Sequence, residues 1–113
     1  MVHLQSEFSN TVDICGTLSV TVMKATSLVR IRGNSKKKRC DPFCILRVGQ
    51  NRSSGMQLAC AEQRTSVQSD TLSPVWNETY EFSPKKWSMT HILLIDIMDD
   101  KAEMGQVEIK VRP

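Results

Sequence analysis

The sequence predicts an all-β domain, an antiparallel sandwich of about seven to eight short strands, and three observations carry that expectation. Apolar residues alternate with polar ones at a period of two in several stretches, whereas a helical period is hard to find anywhere. Segments rich in Gly, Asn, Ser and Pro separate those stretches at turn-like intervals. The 113 residues, 40% hydrophobic and 24% charged with only 5 Gly and 4 Pro, suit one packed domain and are too few for two.

The elements follow in order. Val2 to Phe8 can supply an edge strand within an N-terminal extension over residues 1–15. From Gly16 to Met23, Leu18, Val20 and Val22 alternate with Thr17, Ser19 and Thr21, which predicts a half-buried strand with a hydroxyl-rich outer face. Phe43 to Val48 sets Cys44, Leu46 and Val48 on one face. Leu58 to Val67 is a weaker candidate, and Thr79 to Phe82 puts Tyr80 and Phe82 on one side. His91 to Met98 is the most apolar run, with Leu93, Ile95 and Ile97 inward. In Gln106 to Arg112, Val107, Ile109 and Val111 alternate with Gln106, Glu108, Lys110 and Arg112 without exception. Turns are expected at residues 33–35, 49–55, 69–74 and 83–88.

Several function classes find no support. No run approaches the ~20 apolar residues of a membrane helix, and residues 1–10 lack the layout of a secretory signal, so a cytoplasmic location is expected. The cysteines at 15, 40, 44 and 60 are too few and too irregular for a disulfide framework, which predicts reduced thiols. The Cys40 and Cys44 pair lacks a second pair at zinc-ligand spacing. His3 and His91 are far apart in sequence, and His91, at the head of a strand, reads as a surface residue. Without a nucleophile elbow, phosphate loop or metalloprotease helix, no enzymatic activity is expected.

Charge is more informative. Lys plus Arg number 15 against 12 Asp plus Glu, a net +3. Residues 30–39 contain Arg30, Arg32, Lys36, Lys37, Lys38 and Arg39 and no acid, a local +6, so the remainder has 9 basic and 12 acidic residues, or −3. A compact polybasic loop beside anionic lipid gains on the order of 1 kcal/mol per Lys or Arg. The run has no aromatic interleaving for base stacking, so nucleic acid is not expected as a partner.

Four blocks then line up. The strand Gly16-Thr17-Leu18-Ser19-Val20-Thr21-Val22 leads into a polar loop ending in Asp41-Pro42-Phe43. Arg64-Thr65 precedes Thr71-Leu72-Ser73-Pro74-Val75-Trp76-Asn77-Glu78, which runs into Tyr80-Glu81-Phe82. Last comes Leu93-Leu94-Ile95-Asp96-Ile97-Met98-Asp99-Asp100, followed by Met104-Gly105. This order of blocks, over about residues 16 to 112, resembles the C2 domain family, the membrane- and calcium-binding modules of signalling and trafficking proteins.

The resemblance implies a Greek-key β-sandwich over residues 16–113 that stops one strand short of the family's full count, leaving an open edge through which dimerisation is conceivable. In calcium-binding members two loops supply about five carboxylates toward the 6–8 oxygens the ion takes. Asp41 and Asp99 match two of those positions, and Asp100 and Glu103 stand near two others. The remaining position falls at Ser35 beside Asn34, followed by lysines that repel a cation, so the calcium set reads as degraded. The basic run falls in the family's first membrane-facing loop, which implies calcium-independent contact with anionic phospholipid at the membrane periphery. The alternative is a protein-interaction scaffold within a larger signalling or trafficking protein. The family's second lipid site, a basic patch on the concave sheet, has only Arg47 and Arg64 here, with Arg52 nearby. Exposed apolar residues at the loop tips favour membrane insertion, and Val29, Ile31, Met98 and Met104 are the candidates.

Overall fold

The computed structural model describes residues 2–8, 16–26, 28 and 40–111. Among these, eight strands and no helix are found: β1 (Val2–Phe8), β2 (Leu18–Ala25), β3 (Pro42–Arg52), β4 (Gly55–Leu58), β5 (Gln63–Arg64), β6 (Val75–Phe82), β7 (Ile92–Asp99) and β8 (Ala102–Lys110). Among the described residues no helix is therefore long and apolar enough to cross a membrane.

Every pairing is antiparallel. One sheet has the order β1-β2-β6, and the other has the order β4-β3-β7-β8 with β5 also pairing β3. The chain passes from β2 in the first sheet to β3–β5 in the second, returns to β6 beside β2, and then crosses again to β7 and β8, the long-range return of a Greek key.

The period-two pattern dictates the interior. Leu18, Val20 and Val22 of β2 face Cys44, Leu46 and Val48 of β3 and Leu93, Ile95 and Ile97 of β7 in one buried cluster, joined by Trp76, Phe82, Trp87 and Val111. These β2, β3 and β7 faces agree with the sequence pattern, while Tyr80, Val107 and Ile109 pack only partly buried against the cluster. Of the strand expected over residues 58–67, only Gln63–Arg64 forms a strand wholly within it: β4 ends at Leu58, Ala59 still donates to Val48 O at 2.8 Å, and the chain then bends away before β5. The expected turn at residues 49–55 is also narrower: β3 continues to Arg52 and pairs with Gly55 across a two-residue hairpin loop.

Two backbone positions explain their residues. Asn77 lies inside β6 at φ 51°, where the register to β2 slips between Val22 and Lys24. Asparagine tolerates this left-handed conformation, so its place in the Trp-Asn-Glu block is that of a bulge residue. A Cβ on Gly49 would stand 2.1 Å from the Gln57 carbonyl oxygen, a backbone atom of β4 that cannot swing aside. Gly49→Ala is therefore expected to push β4 off β3 at a cost of about 1–3 kcal/mol. Hydrogen exchange should show the amides of residues 56–59 losing protection before those of β7.

Candidate functional site

One end of the sandwich gathers the loops of interest. There β2 ends, β3 begins and β7 turns into β8, with Pro42 paired to Asp99. The connection over residues 65–74 crosses from one sheet to the other at this end. It runs along β3 through bonds from Thr65 N to Cys44 O (2.9 Å) and Gln68 N to Pro42 O (3.0 Å), and it reaches β2 where Ala25 N donates to Pro74 O (3.1 Å).

The same connection holds both flanks of the basic run. Leu28 N donates to Leu72 O at 2.9 Å, and Thr71 N donates to Cys40 O at 2.9 Å. Leu28 and Cys40, the described residues on either side of the run, are therefore bonded to two consecutive residues of one loop. Arg30, Arg32, Lys36, Lys37, Lys38 and Arg39 lie outside the described residues, as do Val29, Ile31, Asn34 and Ser35. The loop that carries the flanks exposes two apolar side chains, Val67 (56% exposed) and Leu72 (39%). Of the other apolar tip candidates, Met98 is half-buried and Met104 sits with its Sδ 3.3 Å from the Cys40 thiol, so both are partly covered.

Asp41, Asp99 and Asp100 do come together, lining a cavity of about 400 Å³ with Phe43 and Val67. Their contacts show what two of them do for the fold. Asp99 Oδ1 accepts the Asp41 backbone N–H at 3.1 Å, and Asp41 Oδ1 accepts that of Asp70 at 2.8 Å. Asp100 takes the left-handed position of the β7–β8 turn, at φ 56°. Glu103 is not among the cavity's lining residues. It pairs with Met98 in β8, and its carboxylate accepts from Gln106 at 3.3 Å on the outer face of the sheet. Among the described residues no three Asp, Glu, His or Cys side chains form a group suited to a metal ion. Asp41 and Asp99 each tie loops together by accepting a backbone N–H group.

The outer face of the five-stranded sheet carries a network that the sequence pattern does not announce. Arg47 donates from Nη1 to Asp96 Oδ2 at 2.7 Å and from Nε to Glu62 Oε1 at 3.1 Å. Gln106 donates to Asp96 Oδ1 at 2.7 Å, and Arg64 pairs with Glu62 at 3.3 Å. Two guanidiniums thus meet the carboxylates of Glu62 and Asp96, with Glu103 beside Asp96, and the patch holds no surplus positive charge. The hydrogen bond and charge of Arg47, with help from Arg64, hold the Glu62 carboxyl low, while the hydrogen bond to Asp96, then burial and the Asp96 charge, push Glu103 up. Arg52, assigned to this patch from its nearness in sequence, lies five residues beyond Arg47 and so projects from the opposite face of β3.

The Trp-Asn-Glu block closes the side of the same crossing loop. Trp76 Nε1 donates to Ser66 O at 2.9 Å. Glu78 accepts the Ser66 backbone N–H at 3.0 Å as well as the hydroxyls of Ser66 and Tyr80. Burial alone raises the Glu78 carboxyl, but these three donors outweigh it and hold the group below its ordinary 4.5. A depressed carboxyl stabilises the fold above its unfolded value, and that contribution disappears as pH falls through the folded one. Wild type is accordingly expected to lose its stability margin over Glu78→Gln as pH drops from about 5 to about 3. Urea midpoints at several pH values check this, and a margin that stays constant across that range contradicts it.

Two further expectations meet the structure here. Cys44 faces the core as expected, and burial, with the nearby Glu78 and Asp96 charges, pushes its thiol up to about 12. His91, expected at the surface, is instead only 6% exposed, because the loop over residues 83–90 folds its Trp87 against the imidazole edge.

An antiparallel two-sheet sandwich whose crossing loop gathers two further loops at one end defines the class of domain. The C2 domain sequence profile matches residues 16–113, and the chain belongs to that family. Solved C2 domains share the fold. The C2 domain designated A of RIM2 superposes with a TM-score of 0.70 at 22% identity, covering 96% of this chain and 82% of that one. The corresponding A domain of RIM from Drosophila gives 0.69 at 20% identity, covering 96% and 83%. The C2 domain designated A of plant extended synaptotagmin 1 gives 0.64 at 21% identity, covering 87% and 70%. No curated protein matches the sequence.

Proposed function

We propose that this C2 domain is a non-catalytic targeting module that attaches peripherally, without calcium, to anionic phospholipid on the cytoplasmic side of a membrane, through the run from Arg30 to Arg39. One observation carries the reading: the flanks of that run, Leu28 and Cys40, are fixed by the loop that exposes Val67 and Leu72. The two described flanks of the six-cation run and two exposed apolar side chains thereby belong to one end of the molecule. Charge supplies attraction at the headgroups, and the apolar residues gain from entering the interface. Calcium independence is supported by the use of Asp41 and Asp99 as acceptors for backbone N–H groups.

Co-sedimentation with vesicles tests this reading. Vesicles of phosphatidylcholine with phosphatidylserine are expected to retain the protein in the presence of a chelator, and vesicles of phosphatidylcholine alone to release it. Binding that ignores the anionic fraction, or that requires calcium, overturns the reading. Absence of binding to either vesicle favours a protein-interaction scaffold.

A further inference from the structure

The other end of the sandwich carries a second cationic feature. Arg52 closes β3 ten residues beyond Pro42, roughly 33 Å along the strand from the Asp41 cavity. There it lines a cavity of about 350 Å³ together with Gln50, Gln57, Lys85, Lys86 and His91. Among the described residues no carboxylate lines this cavity.

The lining is constructed. Arg52 Nε donates to Gln57 Oε1 at 3.1 Å, and its Nη2 donates to Gln50 Oε1 at 2.7 Å. Gln50 is itself held, donating from Nε2 to the Ser88 and Thr90 hydroxyls at 2.8 and 2.6 Å. The guanidinium is thus fixed by neutral amide oxygens and keeps its full charge, in contrast with Arg47, which is spent on two carboxylates. His91 adds a second, independent sign. The residue is only 6% exposed, and its Nδ1 accepts the Ser88 backbone N–H at 2.9 Å, so in the neutral ring Nε2 carries the proton. Among the described residues that Nε2 finds no hydrogen-bond partner, and it keeps contact with solvent. A fixed guanidinium, Lys86 and the histidine ring, around a small cavity with no acid among its described lining residues, match the oxygens of a phosphate monoester.

We infer that this cavity is a second anion site, taking a phosphate monoester of a multiply phosphorylated small ligand between Arg52, Lys86 and His91. It is separate from the basic run, so its test begins with a full-length variant in which Lys36, Lys37, Lys38 and Arg39 are glutamine. Titration of that variant with inositol trisphosphate is expected to shift the His91 ring and Arg52 Nε–H resonances. Adding R52Q and K86Q is expected to weaken the affinity by about tenfold or more. Both substituted residues are exposed, and unchanged thermal unfolding establishes that the fold is kept. Vesicles of phosphatidylcholine with a phosphatidylinositol bisphosphate identify the source. Sedimentation that R52Q and K86Q abolish assigns a lipid headgroup, and trisphosphate binding without sedimentation assigns a soluble phosphate ester. No shift at millimolar trisphosphate, shifts confined to residues away from Arg52 and His91, or an affinity indifferent to R52Q and K86Q overturns the inference.

Discussion

Trp87→Ala is expected to destabilise the domain by about 3–5 kcal/mol, a third or more of the stability typical of a domain this size. The indole is 3% exposed and joins the core cluster from a loop, where no strand ladder fixes it. Its Nε1–H donates to the buried Gly16 carbonyl at 2.6 Å, which ties the β6–β7 connection to the entry of β2. Its ring meets that of His91 edge-on, with centroids 5.4 Å apart and planes at 70°. His91 in turn anchors the end of β8, because Val111 N donates to its carbonyl at 3.1 Å. Truncation therefore opens a large cavity and removes the donor from a buried carbonyl at once. Trp87→Phe separates the two effects: it keeps most of the apolar volume and loses only the donor, for about 1–3 kcal/mol. Urea denaturation followed by circular dichroism measures both variants. Equal losses in the two would show that the hydrogen bond, and not the packing, carries the contribution.

The interior was legible in the sequence because a strand alternates strictly and each alternation has one apolar face. Leu18, Val20 and Val22 could be assigned inward without knowing their partners, and so could Leu93, Ile95 and Ile97. The failures lie where the ladder is interrupted. Residues 60–62 lie outside the strands although the apolar pattern there is only weakened, and β6 begins at Val75, four residues before the alternation at Thr79 suggests. Asn77 hides that start, since a left-handed residue inside a strand resembles a turn signal.

The functional surfaces were legible only as far as composition reaches. The +6 run announces itself, and the aspartates at both strand ends follow from the family pattern. The neutralisation of Arg47 does not, because Glu62 and Asp96 are 15 and 49 residues away and meet it only once β5 and β7 take their registers beside β3. Arg52 had the same charge and a nearby number, yet an offset of five residues in a strand sends it to the other face, past the end of the core. Parity was the available signal. His91 was misread for a different reason: its burial is imposed by Trp87 from a loop, where periodicity says nothing.

Replacing Lys36, Lys37, Lys38 and Arg39 by glutamine is expected to weaken attachment to phosphatidylserine-containing vesicles by about a thousandfold. The magnitude follows from four cations at about 1 kcal/mol each near an anionic surface, or about 4 kcal/mol in all. Arg30 and Arg32 remain in that variant, and the exposed Val67 and Leu72 still supply apolar contact, so weak residual binding is expected. Salt provides an independent check, because the screening length shrinks from about 8 Å at physiological ionic strength to about 3 Å at 1 M, and wild-type binding should fall with it while that of the variant changes little. Arg47→Gln serves as the contrast. Its charge is already engaged by Glu62 and Asp96, so vesicle affinity should stay within about twofold, while stability drops because Asp96, 6% exposed, loses its cation. A fourfold-neutralised protein that still sediments at micromolar lipid would show that the contact is not electrostatic, and a large loss in Arg47→Gln would move the binding surface to the outer face of the sheet.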